Sequence, residues 1–231
     1  MAENPLAISF GETLTAEVSG CVTDFAEIGL DSVMEDGLLK EIPFLSTAVS
    51  VYRIGKSIHE RHYVAKLAAF LERINEGILF EEERKRYREK FQENTKFRNQ
   101  ELEYILILID RYINKDKAKL LATLYLAYLD EKIEWNRFAE FSEIIDRLLP
   151  ADFDCLFEFM CHGGVDLEKT KVEIASVLRL LAVGFVSQEQ PEIKALIGMN
   201  SPRDSMDYLI TDYGREFVKI FEADIRTAHT K

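Results

Sequence analysis

A short apolar strand that turns into an amphipathic helix through Thr-x-x-Gly constrains this chain more than any other stretch. It runs Tyr208-Leu209-Ile210-Thr211-Asp212-Tyr213-Gly214-Arg215-Glu216-Phe217-Val218-Lys219-Ile220-Phe221. The Thr211 hydroxyl is placed to cap the helix that it opens. Gly214 allows close packing of the first turn, and Phe217, Ile220 and Phe221 return to the core. Upstream, Val172 to Leu181 reads as a helix, closed by Val183-Gly184-Phe185-Val186. Helix, glycine stop, strand, loop, strand, Thr-x-x-Gly, helix is the order of a winged helix. The sequence therefore predicts a short hairpin around Phe185-Val186 and Tyr208-Ile210, with helix nearly everywhere else.

Helical spacing recurs along the rest of the chain. Leu14, Val18, Cys21, Val22, Phe25, Ile28 and Val33 fit one helix face. Leu38 to Tyr52 is the most apolar stretch, and Lys66 to Leu71 returns to a buried face. Glu81 to Lys90 places acids before bases, which suits the helix macrodipole. The apolar block Leu102 to Ile109 fits helix or strand by period alone. Helical neighbours and the lack of strand partners favour helix. Asn114 or Asp116 caps the next helix, Lys117 to Asp130. Trp135 to Leu149 follows, with Phe138, Phe141, Ile145 and Leu148 on one face. Pro150 opens another helix, whose inward side is read as Phe153, Leu156, Phe157 and Met160, and Gly163-Gly164 ends it. The expected fold is mainly α: a multi-helix region, 1–149, packed on a winged-helix-like module, 150–231.

The bulk properties narrow the partners. The net charge is −12, and a phosphate backbone repels that field unless a local basic face offsets it. Cys21, Cys155 and Cys161 are odd in number and lack scaffold spacing, so a reducing cytoplasm is expected. The start of the chain has no secretory pattern.

Leu149-Pro150-Ala151-Asp152 entering a helix, Leu178 to Val186 ending one, and Leu209-Ile210-Thr211-Asp212-Tyr213-Gly214-Arg215-Glu216-Phe217 come in that order. This succession resembles the closing module of the bacterial abortive-infection alpha family, over roughly residues 135 to 222. Ala182-Val183 interrupts the family's Leu-Gly pairing, and Phe185 stands where Leu is usual. The resemblance implies a bacterial protein associated with phage defence, with no described active site.

Candidate sites are few. Lys169, Lys171 and Arg179 would be the DNA-reading bases, but Asp166, Glu168 and Glu173 dilute them. His59 and His62 stand i,i+3 on a helix, which is not the spacing of a zinc hydrolase. Cys155, Cys161 and His162 lack a Cys-x-x-Cys pair. Asp152 and Asp154, two apart, read as acids at a helix start. Arg84, Lys85 and Arg88 belong to a basic run interleaved with aromatic residues and offset by nearby glutamates. No phosphate-binding loop and no nucleophile motif appears, so no catalytic, cofactor or metal residue is assigned. The segment 38–52 is the strongest interaction candidate, through Leu38, Leu45, Val49, Arg53 and Lys56. Its uncharged part, Ile42 to Tyr52, is too short for the roughly 20 residues of a spanning helix. It reads as a core helix, or as one lying at a membrane surface.

The expected function is a non-enzymatic interaction or regulatory protein, in phage defence by the resemblance. Its expected partner is another protein or a second copy of the chain, with DNA not expected. Two alternatives stand beside it: a membrane-surface effector that uses 38–52, and an acidic winged-helix transcription regulator.

Overall fold

The computed structural model describes residues 57–77, 95–162, 164–165, 172–188 and 208–228, with isolated helical positions at Ser9, Thr13, Thr47, Glu82, Lys85, Arg86 and Glu89. The helix read over Leu14 to Val33 and, apart from Thr47, the segment 38–52 lie outside the described residues. Among those residues the fold is mainly helical, with three short strands. The chain divides into two compact units, Met1–Ser142 and Glu143–Lys231.

The first unit contains α1 (Ile58–Gly77), α2 (Thr95–Arg111), α3 (Lys115–Leu129) and the start of α4 (Trp135–Arg147). The ambiguous apolar block is helix. Leu102, Ile105, Leu106, Leu108 and Ile109 are buried, while Glu103, Ile107 and Asp110 face water. That is the i,i+3,i+4 pattern of a helix with one buried side. Helix α1 packs along α3. Both carry small residues on their buried sides, Ala68 and Ala69 on one, Ala118 and Ala122 on the other. Asn114 caps α3, its side chain accepting the Lys117 N–H at 3.0 Å. The buried face read for α4 is present, with Phe138, Phe141, Ile145 and Leu148 all fully buried.

Among the charged side chains that enter this helical core are Lys66, Glu72 and Glu101, each with partners. The Lys66 ammonium donates to the carbonyls of Asp110 at 2.7 Å and Tyr112 at 2.6 Å. These are carbonyls at and just beyond the end of α2, where helical acceptors run out. Burial lowers the Lys66 pKa, against the opposing pull of Asp110. Glu72 meets Lys119 at 2.8 Å, and Glu101 accepts the Tyr128 hydroxyl at 2.5 Å. Polar groups taken from water in this way cost several kcal/mol if left unmatched.

Helix α3 ends in a left-handed turn. Glu131 has φ of 60°, the Lys132 N–H donates to the Ala127 carbonyl, and the Glu131 N–H donates to that of Tyr128, both at 2.9 Å. This is a Schellman cap with glutamate at the position that glycine prefers.

The second unit contains α5 (Pro150–His162), β1 (Gly164–Val165), α6 (Ile174–Ala182), β2 (Val186–Gln188), β3 (Tyr208–Ile210) and α7 (Asp212–Ala228). The sheet order is β1-β3-β2, with both pairings antiparallel. The hairpin of β2 and β3 lies where the sequence puts it, Val186 opposite Ile210 and Gln188 opposite Tyr208. Strand β1 is a correction. The helix ends at His162, as the Gly163-Gly164 stop predicts, but Gly164 then pairs with Leu209 in a strand beyond the expected hairpin. Two residues are too few for an alternating pattern to show. Helix α5 is also turned from the expected face. Asp152, Cys155, Leu156 and Phe159 are buried, whereas Phe153, Phe157 and Met160 are half-buried. Both sets have helical spacing, and the observed one places a carboxylate inside.

The junction into α7 follows the local chemistry of Thr-x-x-Gly. The Thr211 hydroxyl accepts the Gly214 N–H at 3.0 Å and donates to the Gly184 carbonyl at 2.7 Å. A Cβ at Gly214 would run into the Phe185 carbonyl oxygen and lie 3.1 Å from the Ile210 side chain. Gly184 ends α6 at φ of 79°, a left-handed backbone that glycine adopts without penalty. Behind the junction, Phe217 packs at a tilt between Phe185 and Phe221, each 4.6 Å away between ring centroids.

Two stability outcomes follow. Phe217→Ala removes a fully buried ring and is expected to cost roughly 3–5 kcal/mol, read as a lower urea midpoint; an unchanged midpoint would contradict this packing. Glu131→Gly relieves a left-handed glutamate and is expected to add about 1 kcal/mol, read in the same titration.

Candidate functional site

Helix α6 carries apolar side chains on its exposed side as well as on its buried one. Its inward side carries Ser176, Val177 and Leu180, all buried. Arg179 is the one basic residue between Ile174 and Ala182, and it is committed to α5. Its Nε lies 2.9 Å from both carboxylate oxygens of Asp152, and its Nη2 lies 2.7 Å from Oδ1. The same Nη2 donates to the Ser176 hydroxyl at 3.0 Å. The Asp152 side chain has no solvent exposure, and its second oxygen also accepts the Leu149 N–H at 2.8 Å. That last bond is the returning half of a capping box, with Pro150 at the first helical position and Asp152 at the third.

Burial alone would raise the Asp152 pKa. The hydrogen bonds from Arg179, the Leu149 N–H and Ser176 outweigh it and hold the carboxyl below its ordinary value. The reading of Asp152 as an acid at a helix start is thus incomplete, because it is also the buried anchor of α6. Arg179, a candidate DNA-reading base in the sequence, is here a structural cation. Lys169 and Lys171, the other two candidates, lie outside the described residues.

The outward side of α6 is apolar. Ile174 is 56% exposed and Leu178 51% exposed. They stand one turn apart, with exposed Ala182 a turn further on. Glu173, also exposed, precedes the helix. Composition does not reveal this arrangement, since a short apolar helix reads as core on every side. The signal in the sequence was the single arginine, which has to point somewhere polar.

The remaining candidates do not converge. Leu38, Leu45, Val49, Arg53, Lys56, Arg84 and Arg88 lie outside the described residues. Lys85 is exposed, and its neighbour Arg86 bonds Asp130 at 2.7 Å. His59 and His62 are exposed, and His59 lies 3.5 Å from Asp110. Cys155 is buried, and burial, then the Asp152 and Glu158 carboxylates, push its thiol up to about 11. Such a thiol is inert near neutral pH. Cys161 and His162 are exposed at the end of α5. Among the described residues no three His, Cys, Asp or Glu side chains are grouped to hold a metal ion. Among the same residues no helix is long and apolar enough to cross a membrane.

No protein-family model, no curated protein and no solved structure matches this chain.

The depressed Asp152 pKa sets a pH dependence. Its contribution is fully present above the unfolded carboxylate value near 3.8 and is lost as pH falls through the lower folded value. Asp152→Asn is therefore expected to be less stable than wild type near neutral pH and to lose less stability on acidification below about pH 4. Urea midpoints across that range test this; parallel pH profiles would show that the Arg179 pair does not carry the effect.

Proposed function

We propose that the chain is a non-enzymatic interaction protein whose second unit is a winged-helix-type module that grips another protein through the outer side of α6. The order α5, β1, α6, β2, β3 with a β1-β3-β2 sheet supports the winged-helix reading. The observation that carries the functional reading is the exposure of Ile174 and Leu178 on a helix whose one arginine is paired with Asp152. A base-reading helix needs Arg, Lys, Asn or Gln at its surface. A helix showing isoleucine and leucine instead suits an apolar groove on a protein, read through anchors a turn apart. The net charge of −12 works in the same direction, against nucleic acid. The resemblance of the closing segments to the abortive-infection alpha family supports a regulatory place in bacterial phage defence, in the cytoplasm.

The test pairs Ile174→Asp with Leu178→Asp. Both sites are exposed, so the double variant is expected to melt within about 0.5 kcal/mol per site of wild type. It is expected to lose the partner that wild type retains from a bacterial lysate. Retention of the same partner by the variant would remove α6 from the interface. Duplex DNA binding with a Kd of roughly 10⁻⁸–10⁻¹¹ M at physiological salt would favour a transcription regulator instead.

A further inference from the structure

Three isoleucines of the first unit stand more than half in water: Ile58 at 78%, Ile107 at 57% and Ile113 at 86%. Two of them sit on pinned backbone. Ile58 opens α1 inside a capping box. The Ser57 N–H donates to the Glu60 carboxylate at 3.1 Å, and the Glu60 N–H donates to the Ser57 hydroxyl at 3.2 Å. Ile113 lies in the short α2–α3 connection, between Tyr112, whose carbonyl accepts the Lys66 ammonium, and the cap residue Asn114. A 3.5 Å contact between His59 and Asp110 brings the start of α1 to the end of α2. Ile58 is the chain neighbour of His59, and Ile107 and Ile113 stand three positions before and after Asp110. Single exposed apolar residues are ordinary on a surface, but three held around one contact mark an interaction site.

The charge around them is balanced. Among the described residues within three positions of these isoleucines, Glu60, Asp110 and Asp116 are matched in number by Arg61, Arg111 and Lys115. The chain as a whole carries −12, so this balance is local. It gives an anionic bilayer or a nucleic acid no net attraction. It suits a surface that meets its own copy. A two-fold axis sets the same charges against one another, so a self-complementary patch has to be mixed in sign.

We infer that Ile58, Ile107 and Ile113 form the apolar centre of a two-fold contact between two copies of this chain. This surface belongs to the first unit and does not depend on the α6 stripe. The isoleucines leave water when the copies meet, and their charged neighbours form the polar rim. Three side chains cover only part of the roughly 800 Å² per partner of a standard interface, so the dimer is reversible and concentration-dependent. The remaining negative charge of the two copies opposes their approach, and salt screens that repulsion. Salt therefore strengthens this contact, whereas it weakens one built on ion pairs.

Sedimentation equilibrium of the full chain over roughly 1–100 µM reads the contact. A reversible monomer–dimer equilibrium is expected, with a Kd that falls about threefold or more between low salt and about 0.5 M NaCl. Ile58→Asp and Ile113→Asp are each expected to raise that Kd roughly tenfold. Both sites are exposed, and an acid in the first turn of α1 suits the helix dipole, so the melting temperature is expected to stay near wild type. If one of the two fails to fold, the other decides. Ile174→Asp with Leu178→Asp is expected to leave the dimer intact, which separates this surface from α6. A chain that stays monomeric across the range overturns the proposal. So does a dimer that survives both isoleucine changes, one that the α6 changes dissociate, or one that salt weakens. A monomeric chain that floats with lipid vesicles, and loses this with Ile58→Asp, would give the surface to a membrane instead.

Discussion

A carboxylate with none of its surface in water must be matched inside the protein, and Asp152 is matched by Arg179. That match decides how the second unit presents itself. Asp152 sits in the first turn of α5 and Arg179 near the end of α6, so the pair fixes the rotation of α6 about its own axis. With Arg179 turned toward α5, Val177 and Leu180 enter the core and Ile174 and Leu178 face out. The two-pronged geometry of guanidinium on carboxylate gives the pair directional as well as attractive character. The exposed apolar stripe is therefore a consequence of where one buried charge found its partner.

The β3–α7 junction obeys a different kind of constraint. Thr211 joins the α6 end to the α7 start, accepting from Gly214 and donating to Gly184. Gly214 is confined by the Phe185 carbonyl. The bond to Gly184 spans 27 residues, but the Thr211–Gly214 cap closes within one turn, and capping chemistry is encoded locally. This is why the strand, the Thr-x-x-Gly turn and the helix were legible before any tertiary contact was known. The same holds for the Asn114 cap of α3 and for Pro150 at the start of α5.

The first unit shows how far periodicity reaches. It marks the buried side of α4, while the block Leu102 to Ile109 of α2 fits helix or strand by period alone. It says nothing of Lys66 crossing to the end of α2, or of Glu72 reaching Lys119. In a sequence those residues look like the solvated side of a helix, because burial of a charge depends on a partner many positions away. The packing of Tyr104 and Tyr128 against Trp135, 5.7 and 5.4 Å between centroids, was equally hidden. Tyr104, Tyr128 and Trp135 each fit an ordinary helix edge, and only the packing of three helices sets their rings at steep angles.

The sequence by itself determined the helical character of the chain, most helix ends, the hairpin and the glycine-dependent turn into α7. Apart from the pairing of Val186 with Ile210, these depend on backbone preferences and hydrogen bonds between near neighbours, which act before the chain is compact. Tertiary structure alone decided the third strand, the inward face of α5, the outward face of α6 and the meeting of the three rings. Each of these is a choice among faces that satisfy the same periodicity equally well. That choice is made by long-range pairing of charges and by the fit of side chains against elements distant in the sequence, neither of which any local pattern of residues records.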